Sequence, residues 1–218
     1  MQYVMKKLLY ITANSKEEQK SSCKTVGRKL VDAILQSDSE IQLQELDLYK
    51  DHIPPLKGCY FEGRSAVVNA EARGKLSGEE QNEIRIIGTL CDQFRDADIY
   101  VLAAPMWSLS FPAPVKEYID CIVQSGKTIE FEDNRPHGLL GDKHRTFIYV
   151  QSSGAAIPWI LHPALNKGLN CVHDIVKFTG IDCFEELLVD GTGTTEEERQ
   201  EAIQTATEKI SGIINNLS

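Results

Sequence analysis

Three short stretches carry side chains able to hold or shape a ligand. Ser21-Ser22-Cys23 opens a run in which Cys23, Val26, Leu30, Ala33 and Ile34 recur at helical spacing. Two hydroxyls beside the free amides of a helix N-terminus suit a phosphate group, although a serine there also serves as an ordinary helix cap. No glycine-rich Walker or Gly-x-Gly-x-x-Gly pattern accompanies it. Pro105-Met106-Trp107-Ser108-Leu109-Ser110-Phe111-Pro112 sets a Met-Trp pair in a proline-bracketed loop. Large apolar faces in such a loop make a wall for a flat ring system rather than core. Ser152-Ser153-Gly154-Ala155 offers small side chains and exposed amides. These can donate to the carbonyl oxygens of a ring, or form a plain turn.

Other chemistries find little support. His52, His137, His144, His162 and His173 show no nucleophile–base spacing, and no Gly-x-Ser-x-Gly elbow is present, which disfavours hydrolysis. Cys23, Cys59, Cys91, Cys121, Cys171 and Cys183 form no Cys-x-x-Cys pair and no Cys/His spacing of a zinc site, so no metal is expected. They read as structural thiols of a reduced, cytoplasmic protein. Asp96, Asp98 and the run Glu196-Glu197-Glu198 read as loop and first-turn charges rather than catalytic carboxylates.

Charged residues make up 25% and apolar residues 42% of the 218-residue chain, an ordinary globular mixture. No apolar run reaches the roughly 18–20 residues of a membrane span. Residues 1–10 lack the pattern of a secretory signal, and Asn-Asn-Leu-Ser at the end matches no lipidation or retention signal. A net charge of −9 argues against extended contact with nucleic acid or anionic lipid, both of which need clustered Lys and Arg.

The elements that must position the three stretches follow from periodicity. Lys7-Leu8-Leu9-Tyr10-Ile11-Thr12 reads as a buried strand, followed by a polar loop and the helix from Cys23. Ile41-Gln42-Leu43-Gln44 alternates strictly, which puts a second strand at a sheet edge. Residues 49–76 form a long connection in which His52-Ile53-Pro54-Pro55 bars a helix. Ser77-Gly78-Glu79-Glu80 is a capping box ahead of Ile84, Ile87, Cys91 and Phe94. Ile99-Tyr100-Val101-Leu102-Ala103-Ala104 is apolar throughout, as a central parallel strand is. Pro112 and Pro114 suit the first turn of the helix that Val115, Tyr118, Ile119 and Ile122 continue. Glycine and proline across 126–142 predict turns and a hairpin. Residues 146–151 make a fourth strand, and Leu165, Val172, Ile175 and Val176 line a helix closed by Gly180. Leu187-Leu188-Val189 is the fifth strand, and Thr195-x-x-Glu198 caps one last helix.

Strands alternating with helices predict one α/β domain over residues 1–218, a five-stranded parallel sheet with helices on both faces. Five strands favour the flavodoxin-like order 2-1-3-4-5 over a dinucleotide-binding sheet. Ligands of such sheets bind beyond the carboxyl ends of the strands, where the order reverses. That rule selects residues 13–23, 105–111 and 152–157, which contain the three stretches already singled out.

These segments also carry a resemblance running nearly end to end. Ala104-Pro105-Met106-Trp107-Ser108-Leu109-Ser110-Phe111-Pro112 with Lys116-x-Tyr118-Ile119-Asp120 is its densest part. Gly126-Lys127-Thr128 with Phe131 and Pro136-x-Gly138-Leu139-Leu140 is a second, and Leu46-Asp47-Leu48-Tyr49 followed by Ile53-Pro54 a third. On these motifs the chain resembles the FMN-dependent NADH-azoreductases, the flavodoxin-like quinone and azo-dye reductases. The resemblance implies that Ser21, Ser22 and Cys23 hold the FMN phosphate. It implies that Pro105, Met106, Trp107, Ser108 and Leu109 cradle the isoalloxazine, and that Ser152, Ser153, Gly154 and Ala155 contact the ring edge. Cys23, Ser108, Leu109, Ser153 and Ala155 stand where the family usually carries Ser, Asn, Phe, Arg and Gly. Backbone donors survive those changes.

The implied activity is that of an enzyme: hydride passes from NADH through FMN to quinones or aromatic azo compounds, in ping-pong order, with no protein acid or base required. The resemblance also implies a homodimer, with Phe61, Phe131 and Trp159 as candidate rim aromatics of the substrate pocket. No Arg cluster for a 2′-phosphate is evident, which favours NADH. The rivals are a flavin-carrying electron-transfer or regulatory binding protein without NADH-driven turnover, and a degenerate relative that holds flavin loosely. The long segments 49–76 and 126–142 suit a dimer and a pocket better than a short electron carrier.

Overall fold

A computed structural model describes residues 5–63 and 65–217, apart from the side chains of Trp159, His162 and Pro163. In chain order the elements are β1 (Lys7–Thr12), α1 (Ser22–Ser37), β2 (Gln42–Asp47), β3 (Phe61–Glu62), β4 (Ala66–Val67), α2 (Ala70–Gly74), α3 (Gly78–Asp96) and β5 (Ile99–Pro105). They continue with α4 (Ala113–Ile122), β6 (Ile129–Glu132), β7 (Arg135–Gly138), β8 (Thr146–Ser152), α5 (His162–Leu165), α6 (Lys167–Phe178), β9 (Cys183–Val189), α7 (Glu196–Glu208) and α8 (Ile210–Asn216).

Five strands form one parallel sheet in the order β2-β1-β5-β8-β9. In chain numbering this is 2-1-5-8-9, not the expected 2-1-3-4-5. The hairpin β6–β7 is the one expected within 126–142, whereas β3–β4 was not expected, because two residues are too few to show a period; together they add four short strands to the chain numbering. The alternating strand β2 lies at an edge, and it is longer than the four residues expected. β9 begins at Cys183, four residues before the apolar triplet that marked it, because Phe184, Glu185 and Glu186 pair with β8 at the other edge. The last helix is broken at Lys209 into α7 and α8.

Period two divides the central strands between two cores. Leu9, Ile11, Tyr100, Leu102, Ala104, Phe147 and Tyr149 face α3, α4 and α6. Leu8, Tyr10, Val101, Ala103, Ile148 and Val150 face α1, α7 and α8. Burial on both faces is why these strands read as unbroken apolar runs. Capping boxes start α3 at Ser77 and α7 at Thr195, as their sequences required. Pro112 precedes α4 and Pro114 lies in its first turn.

Register brings the strand ends level. Thr12 lies opposite both Asp47 and Ala103, Pro105 opposite Ser152, and Ser152 opposite Val189. The loops that leave β1, β5, β8 and β9 therefore emerge together. α1 can lie close enough to the sheet to aim its N-terminus there because residue 27 is glycine. A Cβ at Gly27 would stand 2.9 Å from Tyr10 Oη and 3.0 Å from Ala103 Cβ. Tyr10 has little room to retreat, since its hydroxyl donates to the Lys24 carbonyl at 3.1 Å inside the core. Gly27→Ala should cost roughly 1–3 kcal/mol through overpacking, more than the gain of about 1 kcal/mol in helix propensity. A rise in the urea midpoint of that variant would contradict this packing.

Candidate functional site

A cleft of about 390 Å³ opens where those loops meet. Its first wall runs from the end of β1 to the start of α1, with Asn14, Lys16, Lys20, Ser21 and Ser22. A single 3-10 turn over Glu18–Lys20 delivers the chain to Ser21, which caps α1. Ser21 Oγ accepts from Asn14 Nδ2 at 2.9 Å and from the Lys24 amide at 3.4 Å, so this hydroxyl is committed to holding the loop. Ser22 carries the hydroxyl left for a ligand, beside first-turn amides that have no partner within the helix. Both serines are nearly enclosed, at 2% and 8% exposure.

The second wall is Pro105, Met106 and Trp107. The Met106 amide donates to the Ser152 carbonyl at 2.7 Å, which continues the β5–β8 pairing one step beyond the sheet. Trp107 and Ser110 then exchange two backbone hydrogen bonds of 2.9 Å around Ser108 and Leu109, whose φ values are +51° and +64°. This reversal keeps Ser108 and Leu109 off the cleft lining. Trp107 is 43% exposed and meets Tyr49 edge-on, with ring centroids 6.4 Å apart. The Leu46-Asp47-Leu48-Tyr49 segment thereby reaches the cleft mouth from the end of β2.

Ser152, Ser153 and Gly154 make the third wall. The Ser153 hydroxyl lies 2.6 Å from the Ala155 carbonyl and 2.7 Å from Asp190 Oδ1, which stiffens the turn. Ala155 is exposed outside the lining. The fourth wall, Thr192 to Glu196 and Arg199, was not anticipated. The Thr192 and Gly193 amides donate to the carbonyls of Ser153 and Gly154 at 3.0 Å, and this brings the start of α7 to the cleft. Its signal was legible: Gly191-Thr192-Gly193-Thr194-Thr195 is a glycine- and hydroxyl-rich turn between a strand and a capped helix, the same logic as the first loop.

Other expected residues lie elsewhere. Cys23 is fully buried, its Sγ 3.3 Å from Ser21 Oγ, and supports the loop from behind. Phe61, in β3, packs against the core, and Phe131 sits on the β6–β7 hairpin; neither lines the cleft. Trp159 falls in a 3-10 turn, and its side chain lies outside the described residues. All six cysteines are free. Burial pushes the Cys91 and Cys121 thiols up to about 12, so neither is a nucleophile near neutral pH. Among the described residues no cluster of His, Cys, Asp or Glu is arranged to hold a metal, and no helix is long and apolar enough to cross a membrane.

Three cations, Lys16, Lys20 and Arg199, share the cleft with one carboxylate, Glu196. Two helix N-termini point their partial positive charge into the same region. In a chain of net charge −9 this is a local reversal of sign, suited to an anionic ligand. Arg199 Nη1 is buried without a hydrogen-bond partner. The residues present therefore fit a phosphate at this end of the cleft and an apolar ring toward Met106 and Trp107.

The family described as having a flavodoxin-like fold matches residues 6–213. The chain belongs to that family. An FMN-dependent NADH:quinone oxidoreductase of Ruminiclostridium cellulolyticum is 66% identical over 98% of this chain and 100% of its own. A protein of the same name from Clostridium botulinum strain Eklund 17B is 55% identical over 98% of this chain and 100% of its own. An FMN-dependent NADH-azoreductase of Bacillus anthracis, solved in complex with FMN, superposes with a TM-score of 0.83 at 20% identity over 98% of this chain and 99% of its own, and thus shares the fold. The flavodoxin-like frame accounts for the convergence of the four loops at one sheet end.

Trp107 separates a ligand wall from core packing. A fully buried Trp cut to Ala costs about 3–5 kcal/mol. At 43% exposure, Trp107→Ala should lower stability by only about 1 kcal/mol or less. Urea unfolding of the variant measures the difference, and a loss in the core range would remove Trp107 from the wall.

Proposed function

We propose that the chain is an FMN-dependent NADH:quinone oxidoreductase that also reduces aromatic azo compounds. The observation that carries this reading is the pairing of an anion-binding end and an apolar wall in one cleft, in a chain 66% identical to a relative of that name. Ser22 and the first-turn amides of α1 would hold the phosphate. Pro105, Met106 and Trp107 would support the ring, and the backbone of Ser152 to Gly154 would donate to its edge. FMN, when bound, supplies the two-electron chemistry. The chain's own residues bind it, orient it and keep water from one side of the cleft. Asn14 and Ser21, on the same wall, and Cys23 behind it would fix the loop.

The same reading takes residues 1–218 as one functional unit in the cytoplasm and as a homodimer. Free thiols support the compartment. Exposed Leu109, Ile160, Leu161 and Phe178, which flank the cleft loops and α6, support burial against a second copy. Phe61, Phe131 and Trp159 remain candidates for the rim that such a pairing would complete.

Ser22→Asp tests the phosphate site. A carboxylate at the first position of α1 suits the helix, so the fold should persist, while its charge repels a phosphate. Native far-UV dichroism with loss of bound FMN is expected; full retention of flavin would move the phosphate elsewhere. Steady-state kinetics test the shared cleft. With NADH and a quinone varied together, double-reciprocal lines should stay parallel. Converging lines would mean that both reactants occupy the protein at once, and NADH-independent flavin binding without turnover would favour an electron carrier.

A further inference from the structure

Resting on the cofactor reading above, we infer that Arg199 is a phosphate-binding residue supplied by the far wall of the cleft, and that it selects the phosphorylated flavin over riboflavin. Arg199 lies on the first turn of α7, almost the full length of the chain from Ser21 and Ser22. Its Nη2 nevertheless donates to the carbonyl of Gln19, two residues before the cap of α1. Its Nε lies 3.5 Å from Glu196 Oε2. The guanidinium is thus fixed at two corners against the 3-10 turn that leads into the phosphate loop. The third corner, Nη1, is shielded from water and has no hydrogen-bond partner. A buried charged donor left unpaired is costly, and because Arg199 lines the cleft, an anion seated there would meet that need once the fork turns toward it. The side chain itself is 18% exposed and lines the same cleft as Ser21 and Ser22.

The surroundings fit a dianion better than a neutral group. Lys16 and Lys20 add positive charge from the near wall. Glu196 is the one carboxylate of the lining, and it is partly engaged by Gln200 at 2.6 Å. Arginine suits the task because its planar fork can keep Gln19 and Glu196 on one side and present a nitrogen to a phosphate oxygen on another. Riboflavin carries the same ring and ribityl chain without the phosphate, so it reports on everything in the cleft except this contact.

The experiment uses the full chain stripped of flavin, with FMN and riboflavin affinities read from flavin fluorescence in wild type, Arg199→Gln and Arg199→Lys. Arg199→Gln should weaken FMN by roughly ten- to a hundredfold and leave riboflavin unchanged. The salt dependence of FMN binding should fall in the same variant. Arg199→Lys keeps the charge but loses the fork, and should recover part of the FMN preference. Equal weakening of both flavins, or no change in either, would make Arg199 a strut between α7 and the loop and overturn the inference. If Arg199→Gln does not fold, Arg199→Lys decides: an FMN preference equal to wild type overturns the inference. A wild-type protein that binds FMN no better than riboflavin defeats the phosphate site as a whole. A wild-type preference that persists in Arg199→Gln defeats only the role given to Arg199.

Discussion

The site rests on one buried cation. Lys24, in the first turns of α1, is 5% exposed. Its ammonium donates to the carbonyls of Asn14 and Lys16 at 3.3 and 3.2 Å, and to Asp47 Oδ2 at 3.1 Å. Three donors thereby meet three acceptors, two from the loop after β1 and one from the end of β2. A buried ammonium is tolerated only when paired and hydrogen-bonded throughout, and that requirement fixes the loop path as firmly as it fixes the lysine. Asp47 in turn accepts from the Tyr49 amide at 3.1 Å, and Tyr49 leans on Trp107. One ion pair thus links the cationic end of the cleft to its aromatic wall.

A second constraint is close backbone approach. Ser108 and Leu109 hold left-handed conformations without being glycine, which costs about 1–2 kcal/mol per residue. The turn persists because both of its sides are tied. Met106 bonds to β8, and the Gly168 amide donates to the Leu109 carbonyl at 3.2 Å. A Cβ at Gly168 would lie 2.7 Å from the Ser110 carbonyl carbon, so only glycine lets α6 seat against this loop. Strain of this kind survives where the surroundings over-determine it, and here it turns Trp107 toward the cleft and Leu109 away from it.

What the sequence made legible follows from periodicity and chain logic. Central strands buried on both faces, proline at the start of α4 and the two capping boxes each left an unambiguous local pattern. The switch-point rule then found Ser21, Ser22, Pro105, Met106, Trp107, Ser152, Ser153 and Gly154 together. Misses arose where side-chain direction, not segment, decides. Cys23 is adjacent to Ser22, yet one further step around a helix turns it into the core. Ser108 and Leu109 leave the lining because of a two-residue reversal whose glycine and asparagine markers are missing. Arg199 escaped because its role depends on α7 crossing to Gln19, a contact 180 residues apart in sequence that no local pattern encodes.

The two ends of the cleft work under opposite physical rules. At the cationic end, enclosure strengthens every charge–dipole contact, and two helix N-termini with three cations act against a net charge that would otherwise repel an anion. At the ring end, Trp107 and Tyr49 stay partly exposed and offer area without directional bonds. Directional, enclosed contacts hold one ligand in one pose. Open apolar area accepts flat molecules of differing outline with little discrimination among them. A protein that must retain one phosphorylated cofactor while exchanging a nucleotide donor for varied aromatic acceptors needs both regimes within one cavity. Here each regime belongs to a different set of loops. The β1 and β9 loops supply charge and amides, and the β2 and β5 loops supply rings. Changes in the second set can therefore alter the acceptors without loosening the anchor that the first set provides.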